Sequence, residues 1–227
     1  MDFNELKKKA NFDWIKVVAI ADSGQSLDFE FEIEPEEFIE FAELDFQKND
    51  KASLVNALSN AKRAIHCATD KIIGIFALKT KKDFTSKLEL LQDIGVIAPR
   101  IISKVNKNRN FLEHQYKLPI KESVEDAIDI ASLFVVAVRG VLHSVWSDFY
   151  IKEGSGDIEQ LDNSIYFSFE EKKKQWEATL VLDKSRLKSI IKPTDYDYKS
   201  IVKIVLCQEI NAIKEKEGIL ELARSIN

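Results

Sequence analysis

The sequence predicts an α+β fold: an antiparallel helical bundle flanked by a small antiparallel sheet built from N- and C-terminal strands. Three observations predict it. Near the N-terminus, "LDFEFEI" (27–33) alternates, with Leu27, Phe29, Phe31 and Ile33 on one side and acids on the other. A period of two is the pattern of a half-buried strand. In the middle, Leu54, Leu58, Ala61, Ile65, Ala68, Ile72 and Phe76 recur every three or four residues and form one apolar helical stripe. Beyond residue 145 the period returns to two, in "IYFSF" (165–169) and "WEATLVL" (176–182).

Each element follows in order. "WIKVVAIA" (14–21) reads as the partner strand of 27–33, with turn residues "DSGQS" (22–26) between them. After Pro35, "EEFIEFAELDFQKND" reads as a short helix, and the long striped helix follows. "KTKKDFTSKLELLQDIG" is a basic connection and a weaker third helix, which Gly95 and Pro99 interrupt. Pro99 suits the first turn of a further helix, with Ile101, Ile102, Val105 and Leu112 as its apolar positions. Pro119 ends that helix, because its ring clashes in a helix interior. Ile120, Val124, Ala127, Ile128, Ala131, Phe134, Val135, Val138 and Leu142 then form the clearest helical face of the chain. "EEKKK" is the hairpin turn between the two late strands, and "YKSIVKIVLCQEINAIKEK" has helical spacing. Three segments are expected: 1–34 gives strands to the sheet, 35–143 is the bundle, and 144–227 is a β-hairpin plus helix.

Charge and composition exclude several classes. No run of about 18 apolar residues occurs, so no membrane span is expected. The N-terminus has no apolar core like that of a signal peptide, which points to the cytoplasm. Cys67 and Cys207 are the only cysteines and read as buried thiols in a reducing compartment, with a disulfide as the alternative. The net charge of −5 is not that of a bulk polycation. It is unevenly spread, however: residues 28–50 carry ten acids and one base, and 79–117 carry nine bases and four acids. The basic section is a solvated face or a local attraction for polyanions. Trp14, Trp146 and Trp176 fall in strand-like stretches and are expected in the core. His66 and Cys67 lie against the long stripe and read as core rather than as metal ligands, because no second Cys/His pair is spaced for zinc. His143 ends the last bundle helix, where it complements the helix dipole. No P-loop, G-x-G-x-x-G or G-x-S-x-G occurs, and no metal or cofactor is expected.

The basic section contains "KNRNFLEHQY" (107–116). RNA is cleaved without a metal when its 2′-hydroxyl attacks the neighbouring phosphate. That reaction needs a side chain titrating near neutrality, which is histidine, and a permanent cation for the transition-state charge, which is arginine. His114 and Arg109 are these two types, and Asn110 is a polar neighbour able to position either. On an ideal helix Asn110 and His114 lie about 40° apart, Arg109 and Tyr116 about 20°, and Arg109 and His114 about 140°. One helix therefore does not aim both Arg109 and His114 at one phosphate. A distorted helix or a second copy across a two-fold axis would. Read blandly, Arg109 and His114 are exposed residues and Tyr116 is a core edge.

"RNFLEHQY" resembles the signature of the HEPN superfamily, an arginine followed by a polar residue and, after a short gap, a histidine. Arg109, Asn110 and His114 match it, and Tyr116 completes an Arg-x4-His-x-Tyr form similar to that of HEPN toxins. The helix pair 37–73 is also reminiscent of the first HEPN helices, and the resemblance spans roughly residues 35–143. It implies an HEPN-like bundle, a nuclease cleft at a homodimer interface, and a metal-independent endoribonuclease acting as a toxin or defence effector. Arg109, Asn110 and His114 would be its catalytic residues, with Lys104 and Lys107 contacting RNA. It also implies that Tyr116 is a target of nucleotidyl transfer by a separate nucleotidyltransferase antitoxin, which would silence the nuclease. The alternative is a catalytically inactive HEPN-like module that binds a nucleotide, RNA or a protein.

Overall fold

The computed structural model describes residues 1–96, 118–154, 162–182, 185–207 and 212–226. Among these the chain forms α1 (Phe3–Ala10), β1 (Val17–Gln25), α2 (Pro35–Lys48), α3 (Lys51–Ile75), α4 (Phe84–Asp93), α5 (Lys121–His143), β2 (Val145–Glu153), β3 (Ser164–Glu170), β4 (Gln175–Leu182), β5 (Ser185–Ile191), α6 (Tyr198–Cys207) and α7 (Ala212–Arg224).

The expected bundle with a small flanking sheet is not what forms. Seven helices among the described residues accompany a five-stranded antiparallel sheet in the order β1-β2-β3-β4-β5, whose strands are spread through the chain. The physical reason is a shared core. Inward residues Phe149, Ile151, Ile165, Phe167, Phe169, Trp176 and Leu180 of the sheet belong to one buried cluster with the α3 and α5 stripes. Phe76, at the end of α3, meets Phe169 with ring centroids 5.5 Å apart. Phe149 stacks on Phe167 at 4.8 Å, and Phe3 of α1 meets Phe167 edge-on at 5.9 Å. A sheet with such an aromatic inner face needs a cover, and α1, α6 and the end of α3 supply it.

The helices form where their stripes require. Asp50 accepts hydrogen bonds from the backbone of Ala52 and Ser53 and caps α3, whose Ala57, Leu58, Ala61, Ala64, Ile65, Ala68 and Ile72 are buried. Both α2 and α5 pack on α3 and on each other. Lys203 of α6 is 1% exposed and reaches Glu221 at 2.6 Å and Asp93 at 3.3 Å, so one ammonium ties α4, α6 and α7 together.

Three local expectations are corrected. β1 runs through 22–25, where the sequence predicts a turn, and pairs with β2 instead of with 27–33. The 27–33 stretch is a strap with no strand hydrogen bonding. Its backbone groups find other partners: Leu27 donates to the Leu142 carbonyl at 2.9 Å and Phe31 to the Glu34 carboxylate at 3.0 Å. The alternation holds for Leu27, which is buried, and for Phe29, which lies over α3 at Gly74, where an added Cβ would sit 2.9 Å from the ring, but Ile33 is exposed. Trp176 is fully buried and Trp146 half-buried in β2, but Trp14 lies in a turn before β1.

Candidate functional site

The six residues singled out in the sequence (Lys104, Lys107, Arg109, Asn110, His114 and Tyr116) lie in 97–117, outside the described residues. Two described surfaces around α5 and a third on the sheet carry polar chemistry.

The first is a cleft of about 490 Å³ between the strap, the start of α2, α3 and the end of α5. Lys71, 8% exposed, rises from α3 into it and pairs with Asp28 at 2.5 Å and Glu34 at 2.6 Å. Burial opposes the charge on Lys71, but the two carboxylates outweigh it and raise its pKa. Arg139 and His143 stand on the α5 wall, with Arg139 4.0 Å from Glu36. The two Lys71 pairs hold the strap on α3, and the Arg139 pair joins α5 to α2. The hydrogen bond from Lys71 holds the Asp28 carboxyl below the usual carboxylate range. Its folded pKa is therefore lower than its unfolded one. The stabilisation is present above the unfolded value and is lost as pH falls through the folded one. We expect amide exchange across 26–34 to accelerate below about pH 4 and Lys71→Met to remove that pH dependence. An identical acid profile in the variant would count against the pairing.

The second is the outer face of α5. Leu133 is 71% and Val136 68% exposed, and with Ala137 and Gly140 they form a stripe one helical face wide. Nothing lies within 4 Å of a Cβ built on Gly140. Asp126 and Asp129 flank the stripe toward the N-terminus, and Arg139 and His143 toward the C-terminus.

The third is the outer face of the sheet. By register, Tyr150 of β2 sits beside Tyr166 of β3, then Thr179 of β4 and Lys188 of β5. Asp22 is an extra residue in β1, because Ala21 faces Phe149 and Ser23 faces Asp148. Such a bulge re-aims a side chain. Here Asp22 accepts from the Tyr150 hydroxyl at 2.5 Å and from Tyr166 at 3.4 Å. Asp148 accepts from Tyr166 at 2.9 Å, Ser23 at 2.6 Å and Ser147 at 2.8 Å. Burial and the Asp22 carboxylate push the Tyr150 phenol up to about 12. Burial, followed by Asp148, pushes Tyr166 up as well. Partial burial opposes ionisation of Asp148, but the surrounding hydroxyls outweigh it and hold the carboxyl below its ordinary value. Both phenols are therefore fixed donors to fixed acceptors.

Sequence reasoning did not find this third cluster. Its residues come from separate strands and meet only through the register. His66, expected in the core, is half-buried and stacks on Phe84 with centroids 3.6 Å apart. Cys67 and Cys207 are free thiols, of which Cys207 is buried and Cys67 half-buried. Among the described residues no group of three His, Cys, Asp or Glu side chains is placed to hold a metal ion, and no helix is long and apolar enough to cross a membrane. Compared with known families, curated proteins and solved structures, the chain matches no family model, no curated protein and no solved structure.

Proposed function

We propose that this protein is a metal-independent endoribonuclease that works as a homodimer, as a toxin or defence effector. The observation that carries the reading is the stretch Arg109, Asn110, His114 and Tyr116, set in a basic section of the chain just before α5. In this reaction the RNA 2′-oxygen bonds to the adjacent phosphorus and the bond to the 5′-oxygen breaks. The products are a 2′,3′-cyclic phosphate and a 5′-hydroxyl. His114 moves the proton, taking it from the 2′-hydroxyl or giving it to the leaving oxygen. Arg109 neutralises charge on the phosphate, Asn110 positions it, and Lys104 and Lys107 hold the flanking backbone. Nucleotidyl transfer to Tyr116 by a separate enzyme would add negative charge close to Arg109 in the chain and turn the activity off.

The outer face of α5 supports the two-fold arrangement. Packed antiparallel on its own copy, the stripe through Leu133 and Val136 meets itself, Gly140 lets the backbones approach, and Asp126 and Asp129 come opposite the partner's Arg139 and His143. An isologous interface needs this self-complementarity.

Purified protein incubated with single-stranded RNA and EDTA is expected to yield cyclic-phosphate ends. Arg109→Ala and His114→Ala should each lower the rate by about 10²-fold or more. Leu133→Glu should shift the protein to monomer in sedimentation and lower cleavage with it. RNA binding without cleavage, or undiminished cleavage in both site variants, overturns the assignment.

A further inference from the structure

The outer face of the sheet carries a half-open pocket of about 330 Å³ whose lining includes Asp22, Tyr150, Tyr166, Thr179, Arg186 and Lys188. That is the lower end of the range for small-molecule sites. Three features of it point to one chemistry. First, its walls are polarised. Asp22 stands at the β1 end, and Arg186 and Lys188 stand at the β5 end. Glu177 of β4 also lines the basic end and pairs with Lys188 at 2.5 Å, so the uncompensated cation there is Arg186, which makes no ion pair or hydrogen bond among the described residues. Second, a π surface lies between the two ends. Tyr150 and Tyr166 are 5.3 Å apart, and the carboxylate contacts of their hydroxyls lock both rings. Tyr150 is nearly buried and Tyr166 is half-buried, so Tyr166 is the ring that offers a face to a ligand. Third, the span is right. Neighbouring strands lie about 4.8 Å apart, and the Asp22 carboxylate already reaches the Tyr166 hydroxyl of β3 at 3.4 Å, so the acid and the cations of β5 are about two strand spacings, roughly 10 Å, apart.

A planar ring with amino donors at one end and a dianion at the other complements this layout. We propose that the outer sheet face binds a nucleoside monophosphate, with its phosphate on Arg186 and Lys188, its base on the Tyr166 ring and its exocyclic amino group on Asp22. Asp22 is the acceptor with capacity to spare, since Tyr166 reaches it only at 3.4 Å, whereas Asp148 already takes three close hydroxyl bonds. Stacking on one aromatic face strengthens binding about fivefold to 150-fold and does not discriminate among bases. The amino contact does: adenine, cytosine and guanine carry such a group and uracil does not.

The test is titration of the full-length chain with AMP, CMP, GMP and UMP by calorimetry and ligand-observed NMR. Saturable binding of the three amino-bearing nucleotides is expected, with UMP about tenfold weaker. Arg186→Ala should weaken binding about tenfold or more, since a charge-assisted contact to phosphate is lost. Tyr166→Ala should weaken binding about fivefold to 150-fold, while Tyr166→Phe, which keeps the ring, retains it. Arg186 is exposed, so its variant folds even if Tyr166→Ala does not. His114→Ala should bind as the unmodified chain does, which separates this site from the proposed nuclease site. No saturable binding, affinity unchanged in Arg186→Ala, UMP as tight as the other three, or binding lost in His114→Ala would each overturn the proposal.

Discussion

Lys7→Met is expected to destabilise the protein by about 3–5 kcal/mol, the cost of leaving a buried carboxylate without its cation. Lys7 is 0% exposed, and its ammonium pairs with Asp197 at 2.9 Å. It also donates to the Leu222 carbonyl at 2.9 Å and to the Ser225 hydroxyl. Asp197 is itself 6% exposed. Burial pulls the Lys7 pKa down, and the Asp197 carboxylate only partly opposes it. The amine therefore depends on its partners to remain charged. Methionine keeps the length and apolar stem of lysine but none of the donors. Asp197 would then be left with the Ser225 hydroxyl, which donates to it at 2.6 Å, in place of a cation, and the contacts of Lys7 from α1 to the end of α7 would go. Lys7→Met/Asp197→Asn should recover a large part of the loss, because the charge left behind is gone. Urea unfolding of the three forms measures this. A single-variant cost below about 1 kcal/mol would show that the pair contributes no more than a surface one.

Gly95→Ala is expected to cost about 3 kcal/mol, from two separate sources. Gly95 follows α4 with a φ of +84°, a region that side chains rarely adopt. Its backbone also passes so close to α6 that an added Cβ would penetrate the Cys207 sulfur and lie 3.2 Å from Lys214 Cβ. The Cys207 thiol is fixed there by its hydrogen bond to the Ile94 carbonyl at 3.1 Å. Removing the sulfur separates the two sources. In Gly95→Ala/Cys207→Ala the collision is relieved and the backbone strain remains, so the double change should cost less than the sum of the single ones by about 1 kcal/mol or more. Strict additivity in denaturant unfolding would place the whole penalty in the backbone.

How much of this was legible in the sequence depends on how local the physics is. The α3 and α5 stripes were readable because a buried helical face repeats within a few residues. β3 and β4 were readable for the same reason at period two. α1 was missed: it is only eight residues long and its stripe of Phe3, Leu6 and Ala10 includes Lys7, a charge that the core accepts only because Asp197 waits far along the chain. β5 was missed because Ser189 interrupts its inward set of Leu187 and Ile191. The 27–33 strap shows the converse error. Alternation records which side chains are covered, not which backbone groups pair, and a helix covers that face as well as a strand would. The architecture itself went wrong at the same point. No local signal announces that Phe76 will meet Phe169 or that helices and sheet will share one interior. The proposed ribonuclease residues were visible as a short motif, and they lie outside the described residues. The outer-face pocket was invisible, because it exists only once five strands are in register and one bulge has turned Asp22 toward two tyrosines.

The pairing of β1 with β2 also sets the order in which the chain can assemble. Val17 faces Glu153, and α2, α3, α4 and α5 are all made between them. A nascent chain therefore carries β1 through the synthesis of every one of those helices with no ladder to join. Contacts of such long sequence separation slow folding, since loop closure must precede any gain from the strand. The helical insert can close on itself first, while β1 and α1 wait for the C-terminal meander. During that interval the apolar side of β1 is the part of the molecule most open to pairing with another nascent copy.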